Sequence, residues 1–597
     1  MVKKMLTMDG NKAAAYTSYA FTEVASIYPI TPSSPMAEYV DEWSAQGKKN
    51  LFGQEVKVVE MQSEAGAAGA MHGSLATGAL TTSYTASQGL LLMIPNMYKM
   101  AGEFLPGVLH VSARTLAAHA LCIFGDHSDV MACSQTGFAM LATGSVQEVM
   151  DLGGVAHLAA IKTKIPFLHF FDGFRTSHEQ QKIEVFDYED YRKMLDMAAV
   201  EEFRKNALNS GHPVFRGSNQ NPDIFFQARE AASPFFEKVP AVVEDYLKQV
   251  SKITGRQYGL FDYYGAPDAT SVVIAMGSVG ETAEQAVDYL NAQGGEVGLL
   301  KVRLYRPFAI DYFLNALPKT VERIAVLDRL KTPGAPGEPL YMDVVAAFAG
   351  KKAPLIIGGR YGLGSKDTLP EDIIAVFANL NSDSPRSGFT ISIVDDISNS
   401  SLPRGQKIDM LPAGTIQCKF WGLGSDGTVG ANKQAVDIIG DKTDLYAQAY
   451  FDYDSKKSGG LTCSHLRFGK KPIKAPYLIS NADFICCSNQ AYVHTYDLLH
   501  GLKRGGIFLL NTVWDDEQLA RELPADMKRY LAENEINFYA INAVEIARNL
   551  GLGNRTNMVM QAAFFKLTGV IPVEQAILAL DESIVKAYGK KGQKIVD

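Results

Sequence analysis

Three segments near the N-terminus carry residue types that could act on a small ligand. Tyr28-Pro-Ile-Thr-Pro-Ser-Ser-Pro sets hydroxyl residues among three prolines, which keeps the backbone extended or turned and out of helix. This predicts a rigid loop displaying Thr31; a plainer account makes Ser33 or Ser34 an N-cap, with Pro35 in the first turn of a helix from Met36. Next, Val56-Lys-Val-Val-Glu leads into a helix of mostly alanine and glycine opened by Glu64. Its carboxyl would share a face with Ala67, Ala68 and Met71, where poor hydration raises a carboxyl pKa and suits it to bond a ligand nitrogen. As a first-turn glutamate it could equally serve the helix dipole. Gly66, Gly69 and Gly73 each cost that helix about 1 kcal/mol relative to alanine, which predicts close approach of a backbone or a ligand. Finally, the apolar run Val108-Leu-His-Val-Ser-Ala ends in Arg114, a planar donor that would match a substrate carboxylate, or else an ordinary surface arginine at a strand end.

Other groups are weaker. Ala86-Ser-Gln-Gly opens an apolar helix after a strand-like run, a junction of the kind that receives ligands. The loop Phe124-Gly-Asp-His-Ser-Asp129 holds two carboxylates and a histidine without a further ligand nearby, and reads as a positioning loop. Gly424-Ser-Asp-Gly-Thr-Val-Gly-Ala-Asn-Lys433 could offer backbone N–H groups and a lysine to a phosphate at a helix start, although it lacks P-loop spacing and could be a simple turn. The six cysteines show no C-x2-C pair, and adjacent Cys486 and Cys487 in a strand point to opposite faces. No metal site is expected.

The elements that position these residues follow a repeated pattern. Apolar runs such as Phe167-Leu-His-Phe-Phe, Ser271-Val-Val-Ile-Ala-Met, Ile324-Ala-Val-Leu-Asp and Gly506-Ile-Phe-Leu-Leu-Asn alternate with helical stretches, the mark of an α/β fold with mostly parallel sheets. Such sheets bind ligands outside the carboxyl ends of their strands. A chain of 597 residues exceeds one core, and breaks after the helix around Glu237–Lys252 and near Ser398-Asn-Ser-Ser-Leu-Pro predict three consecutive domains: 1–257, 258–400 and 401–597. No fixed-period repeat is present. The net charge of −8 argues against nucleic acid. No apolar stretch suits a membrane span and no secretory signal is legible, so a cytoplasmic location is expected.

Long strings extend this reading. YPITPSSPMAE, EMQSEAGAAGAMHGSLATGALTTSYTASQGLLLMIPNMYKMAGE, HVSARTLAAHALCIFGDHSDVM, QTGFAML and HFFDGFRTSHEQQKIE resemble the pyrimidine-binding domain of the pyruvate:ferredoxin (flavodoxin) oxidoreductases. SVVIAMGSVGETAEQ, LKVRLYRPF and VLDRLKTPGAPGEPLY resemble the family's transketolase-C-terminal-like domain, and FWGLGSDGTVGANKQAVDIIG with YDSKKSGGLTCSHLRFG its third, gamma-like domain. The resemblance implies a thiamine-diphosphate enzyme that oxidatively and reversibly decarboxylates pyruvate to acetyl-CoA and carbon dioxide, with electrons leaving singly through [4Fe–4S] clusters to ferredoxin or flavodoxin. It implies that Glu64 contacts the aminopyrimidine ring and promotes its imino tautomer, that Thr31 and Arg114 hold pyruvate, and that Ser425, Thr428, Asn432 and Lys433 contact coenzyme A.

The departure from the family lies at the C-terminus. The chain stops within what looks like the closing helix of the third domain, so the cluster-bearing domain and the part holding the diphosphate and Mg2+ are expected on a missing half or a split-gene subunit, in a homodimer when complete. The isolated chain is expected to be inactive. Alternatives are a different 2-oxoacid as substrate, or a non-catalytic coenzyme A or nucleotide-binding module; such a module has no need of Thr31, Glu64 and Arg114 together.

Overall fold

The computed structural model describes residues 4–454, 459–553 and 555–588. Part of the string YDSKKSGGLTCSHLRFG, 455–458, and the last nine positions, 589–597, lie outside the described residues. The chain forms two compact units: Asp9–His178 with Glu184–Met410, and Met1–Met8 with Glu179–Ile183 and Leu411–Asp597.

The larger unit holds two sheets. The first runs Leu304–Arg306, Ala139–Thr143, Phe167–Asp172, Val108–Ala113, Thr81–Thr85, Val24–Ile27, Lys57–Glu60 in spatial order, parallel except at the Leu304–Arg306 edge. Its four central strands are buried at every position, because helices cover both faces of a parallel sheet and no polar alternation is needed. The second sheet runs Phe389–Thr390, Leu355–Arg360, Arg323–Asp328, Ser271–Ala275, Val297–Val302, Phe261–Gly265, with only the last strand antiparallel. In the smaller unit, an eight-stranded sheet joins a parallel half, Ile416–Leu423, Ala482–Cys487, Leu502–Asn511, Asn537–Ile541, to an antiparallel half containing Leu461–Gly469 and Tyr446–Tyr453. Two strands from the first predicted domain, Met5–Met8 and Gln180–Glu184, extend that half, Gln180–Glu184 pairing antiparallel with Tyr446–Tyr453. Cys486 and Cys487 enter different apolar clusters on the two faces of this sheet.

Within the larger unit the two sheets share a buried carboxylate. In the second sheet, the strand Ser271–Ala275 has neighbours leading away on both sides, which makes its carboxyl end a switch point where a ligand would normally sit. There the backbone N–H and hydroxyl of Ser278 donate to Asp172 Oδ2 at 2.8 and 2.5 Å, and Arg329 Nη1 lies 2.6 Å from the same oxygen, an ionic contact off the donor axis. His127 Nε2 bonds Oδ1 at 2.7 Å. Burial opposes the charge of Asp172, but Arg329 and His127 outweigh it and hold the pKa well below the carboxylate range. The first sheet therefore places a side-chain anion where the second would bind a free one.

The core of the first sheet contains a chain of three imidazoles. His157 Nε2 meets His110 Nε2 at 2.9 Å, His110 Nδ1 meets His169 Nδ1 at 2.9 Å, and His169 Nε2 meets Thr143 Oγ1 at 3.1 Å. A neutral ring has one donor and one acceptor nitrogen, so the chain is satisfied when all three are neutral. Burial, and for His110 and His157 the neighbouring rings, lower all three pKa values, to about 3 for His157 and His169. Because these values lie below the unfolded value of roughly 6.5, the unfolded chain takes up protons first. Stability is then full above about pH 6.5 and falls toward pH 3, by roughly 1.4 kcal/mol per pH unit for each ring. Urea midpoints should drop steeply from pH 6.5 to 4.5; a flat profile over that range would exclude a neutral trio.

Candidate functional site

Four neighbouring parallel strands of the first sheet, Val108–Ala113, Thr81–Thr85, Val24–Ile27 and Lys57–Glu60, end on one side. The loops that follow them carry Arg114, the turn before helix Ser87–Gly102, Thr31 and Glu64. Ser63 caps the helix Glu64–Ala76 through Gly66 N, so Glu64 is not needed for capping. The Glu64 side chain is 7% exposed and lies against Gly89, where an added Cβ would sit 2.6 Å from Oε1. Among the described residues the Glu64 carboxylate has no hydrogen-bond or ion-pair partner. A nearly buried carboxylate left unpaired is costly unless something else completes it. Beside it, Thr85 Oγ1 at the end of the adjacent strand is also buried without a partner.

Arg114 is 6% exposed, which removes the surface-arginine account. Its Nη1 donates to the backbone oxygen of Thr31 at 2.8 Å, and its Nε is buried without a partner. Burial lowers the Arg114 pKa, with Asp129 and Cys122 opposing that shift. The Thr31 side chain is exposed. Ser33 does not cap helix Ser34–Ala45; its hydroxyl donates to Ile30 O at 2.8 Å and tightens the loop that displays Thr31. The structure thus brings Thr31 and Arg114 into contact and seats Glu64 on the neighbouring helix start.

Asp129 links these parts. Its Oδ2 accepts from Ser87 N at 2.7 Å and Arg114 N at 3.0 Å, and Oδ1 from Val130 N at 2.8 Å. One carboxylate therefore joins the strand end bearing Arg114 to the helix bearing Gly89. Burial pushes its pKa up to about 7 against the pull of those N–H groups. The loop is a positioning loop, as its composition suggested; the identity of the tethered backbone was not readable from spacing.

The glycines of helix Glu64–Ala76 correct half of an expectation, that of an approaching backbone. Nothing lies within 4 Å of a Cβ added at Gly69 or Gly73, and Gly66 makes only ordinary contacts, so no backbone of this chain approaches them. The close approaches fall instead at Gly89, against Glu64, and at Gly107, against Met71 and Leu75.

In the smaller unit, a cavity of about 780 Å3 opens at the carboxyl ends of three adjacent parallel strands, lined by residues including Ser425, Asp426, Ser488, Asn489, Asn511 and Arg555. Ser425 is in the left-handed region with φ +76°, where the loop turns into helix Thr428–Lys442. The other nominated residues do not line this cavity. Thr428 is buried with Oγ1 3.3 Å from Ser488 Oγ, Asn432 faces a small separate cavity beside Gln561 with its Nδ2 unpartnered, and Lys433 Nζ lies 5.5 Å over the Phe451 ring. Helical spacing explains this: Thr428 and Asn432 fall on the face packed against the sheet. Ser488 and Asn511 follow directly on strands Ala482–Cys487 and Leu502–Asn511 or end them, and the rule of strand ends could have found them. Arg555, distant in sequence, carried no such signal. Among the described residues no cluster of His, Cys, Asp or Glu suits a metal ion, and no helix is long and apolar enough to cross a membrane.

The ligand-ready end of the first sheet agrees with its class: residues 16–248 match the family model described as "Pyruvate flavodoxin/ferredoxin oxidoreductase, thiamine diP-bdg". Residues 269–373 match "Pyruvate:ferredoxin oxidoreductase core domain II" and 417–597 match "Pyruvate ferredoxin/flavodoxin oxidoreductase". The chain belongs to the pyruvate:ferredoxin/flavodoxin oxidoreductase family. It is 64% identical over 599 residues to the "Pyruvate-flavodoxin oxidoreductase" of Enterobacter agglomerans, covering 100% of this chain and 51% of the relative. It is 61% identical over 593 residues to the "Pyruvate:ferredoxin oxidoreductase" of Moorella thermoacetica, covering 99% and 51%. The Euglena gracilis "Pyruvate dehydrogenase [NADP(+)], mitochondrial" is 52% identical over 595 residues, covering 99% and 33%. The chain spans about half the length of the first two.

Proposed function

We propose that this chain forms the pyrimidine-binding and coenzyme A-binding part of a pyruvate oxidoreductase that converts pyruvate and coenzyme A to acetyl-CoA and carbon dioxide. The observation that carries this reading is the nearly buried, unpartnered carboxylate of Glu64 beside Gly89. The residues present fit the cofactor: Glu64, without a hydrogen-bond or ion-pair partner among the described residues, would hold a proton at a pyrimidine nitrogen. When bound, thiamine diphosphate supplies the electron sink for losing carbon dioxide from a 2-oxoacid. Arg114, held against Thr31 O, would offer its unpartnered edge to the substrate carboxylate, with the exposed Thr31 hydroxyl beside it.

Mg2+ and the diphosphate would be held mainly by residues outside this chain, as would the [4Fe–4S] clusters that pass electrons to ferredoxin or flavodoxin. Five of the six cysteines are buried, and burial pushes the thiols of Cys463 and Cys487 up to about 12, which suits packing rather than thiolate ligation. The complete protein would work in the cytoplasm, as a homodimer.

Coenzyme A would occupy the cavity lined by Ser425, Ser488 and Arg555. Saturating coenzyme A should slow hydrogen exchange at 423–428 and 488–489 in this chain. Unchanged exchange at both segments would remove coenzyme A from the cavity.

A further inference from the structure

The second sheet carries a cavity that the chemistry above does not use. It lies outside the carboxyl ends of three neighbouring parallel strands, Arg323–Asp328, Leu355–Arg360 and Phe389–Thr390. Its volume is about 430 Å3, and its lining includes Lys331, Arg360, Lys366, Leu363, Ile393 and Val394. That size lies in the range of small-ligand pockets, and strand carboxyl ends are where α/β sheets take ligands. The switch point of the same sheet is already filled by Asp172, so a free ligand of this sheet would have to bind beside it.

Three cations line the cavity. Arg360 is held in place, with Nη2 donating to Gly388 O at 3.0 Å and Nη1 3.4 Å from Glu338 Oε1. The ammonium groups of Lys331 and Lys366 are exposed and have no hydrogen-bond or ion-pair partner among the described residues. Lys331 follows the strand Arg323–Asp328, and Lys366 follows the sharp turn after Arg360, where Gly362 and Gly364 have φ +64° and +60°, a conformation other residues avoid. Two carboxylates, Asp395 and Asp396, also line the cavity. Asp395 is engaged within its own loop by Ile397 N, Ser398 N and the N–H and hydroxyl of Ser400. Three aliphatic side chains, Leu363, Ile393 and Val394, also line the cavity and are exposed.

We propose that this cavity binds a nucleoside monophosphate, its phosphate among Lys331, Lys366 and Arg360 and its base against Leu363, Ile393 and Val394. A phosphate monoester answers three cations lining one cavity, and a flat, weakly hydrated base covers aliphatic side chains that inorganic phosphate would leave exposed.

Hydrogen exchange of this chain with adenosine 5′-monophosphate tests the site. The expected result is slowed exchange at 360–366 and 391–400 that weakens as salt rises. The double variants K331E/K366E and K331Q/K366Q should lower affinity by about tenfold or more, the usual consequence of removing electrostatic complementarity. Both alter exposed side chains, and their unfolding midpoints should match the parent. R555A should leave the protection intact, which separates this site from the coenzyme A cavity. The proposal is overturned if the nucleotide protects neither segment, if both double variants bind as the parent does, if R555A abolishes the protection, or if inorganic phosphate or adenosine alone binds as well as the nucleotide.

Discussion

Glu64→Gln should slow exchange of the thiazolium carbon proton of bound thiamine diphosphate by roughly 10²–10⁴, the range for losing a positioned acid–base group. The substitution keeps the size and shape of a side chain packed against Gly89 but removes the ionisable proton. The measurement requires this chain together with the remaining half of its relatives' length, because it spans only 51% of them. Quenched NMR of the cofactor reads the exchange directly. Stability should hold or rise, since the carboxylate has no partner among the described residues to lose and a neutral amide costs less to bury. A first-turn glutamate serving only the helix dipole contributes about 0.3–1 kcal/mol to stability and nothing to exchange. Near-parental exchange in Glu64→Gln would therefore restore that account. Arg114→Lys is the companion: a point charge replaces a planar fork, so the KM for pyruvate should rise while cofactor exchange stays normal.

Asp172→Asn should destabilise the larger unit by about 3–5 kcal/mol, the cost of breaking a buried ion pair by removing one partner. The variant leaves the buried guanidinium of Arg329 without its counter-charge and turns an amide toward the donors of Ser278. Asp172→Asn combined with Arg329→Met should recover part of the loss, because the orphaned cation is then gone. Urea unfolding of the single and double variants measures both terms. A loss below about 1 kcal/mol, or strictly additive losses, would show that the carboxylate does not join the sheets. The pH dependence has a definite sign. The folded pKa of Asp172 lies below its unfolded value near 3.9, so its contribution is present above that pH and is lost as pH falls below it. It adds to the acid lability of the imidazole chain, whose effect starts at higher pH.

Much of the first site was legible in local sequence. Prolines around Thr31 and the Ala-Gly helix after Glu64 are backbone constraints acting over a few residues, and a strand that ends in Arg114 points at its own carboxyl end. The third-region nominations fared differently. Ser425 lines the cavity, while Asn432 and Lys433 lie away from it. A glycine-rich loop announces a turn, but which helical residues face the cavity depends on how the following helix rolls against its sheet. Arg555 could not be found at all, since a residue contributed from a distant loop leaves no periodic or spacing signal.

The α/β class, the strand runs and the residues placed at strand ends were legible in the chain, because hydrophobic periodicity and backbone stereochemistry are local. Which partners those residues meet depends on packing between segments remote in sequence. Asp129 tethers Ser87 and Arg114, Asp172 fills the switch point of another sheet, and Glu64 lies against Gly89 without a hydrogen-bond or ion-pair partner among the described residues. The strands Met5–Met8 and Gln180–Glu184 leave their sequence neighbours to complete the edge of a distant sheet. An unpaired edge exposes backbone donors and acceptors to any matching strand, and proximity in space, not in sequence, selects the one that covers it.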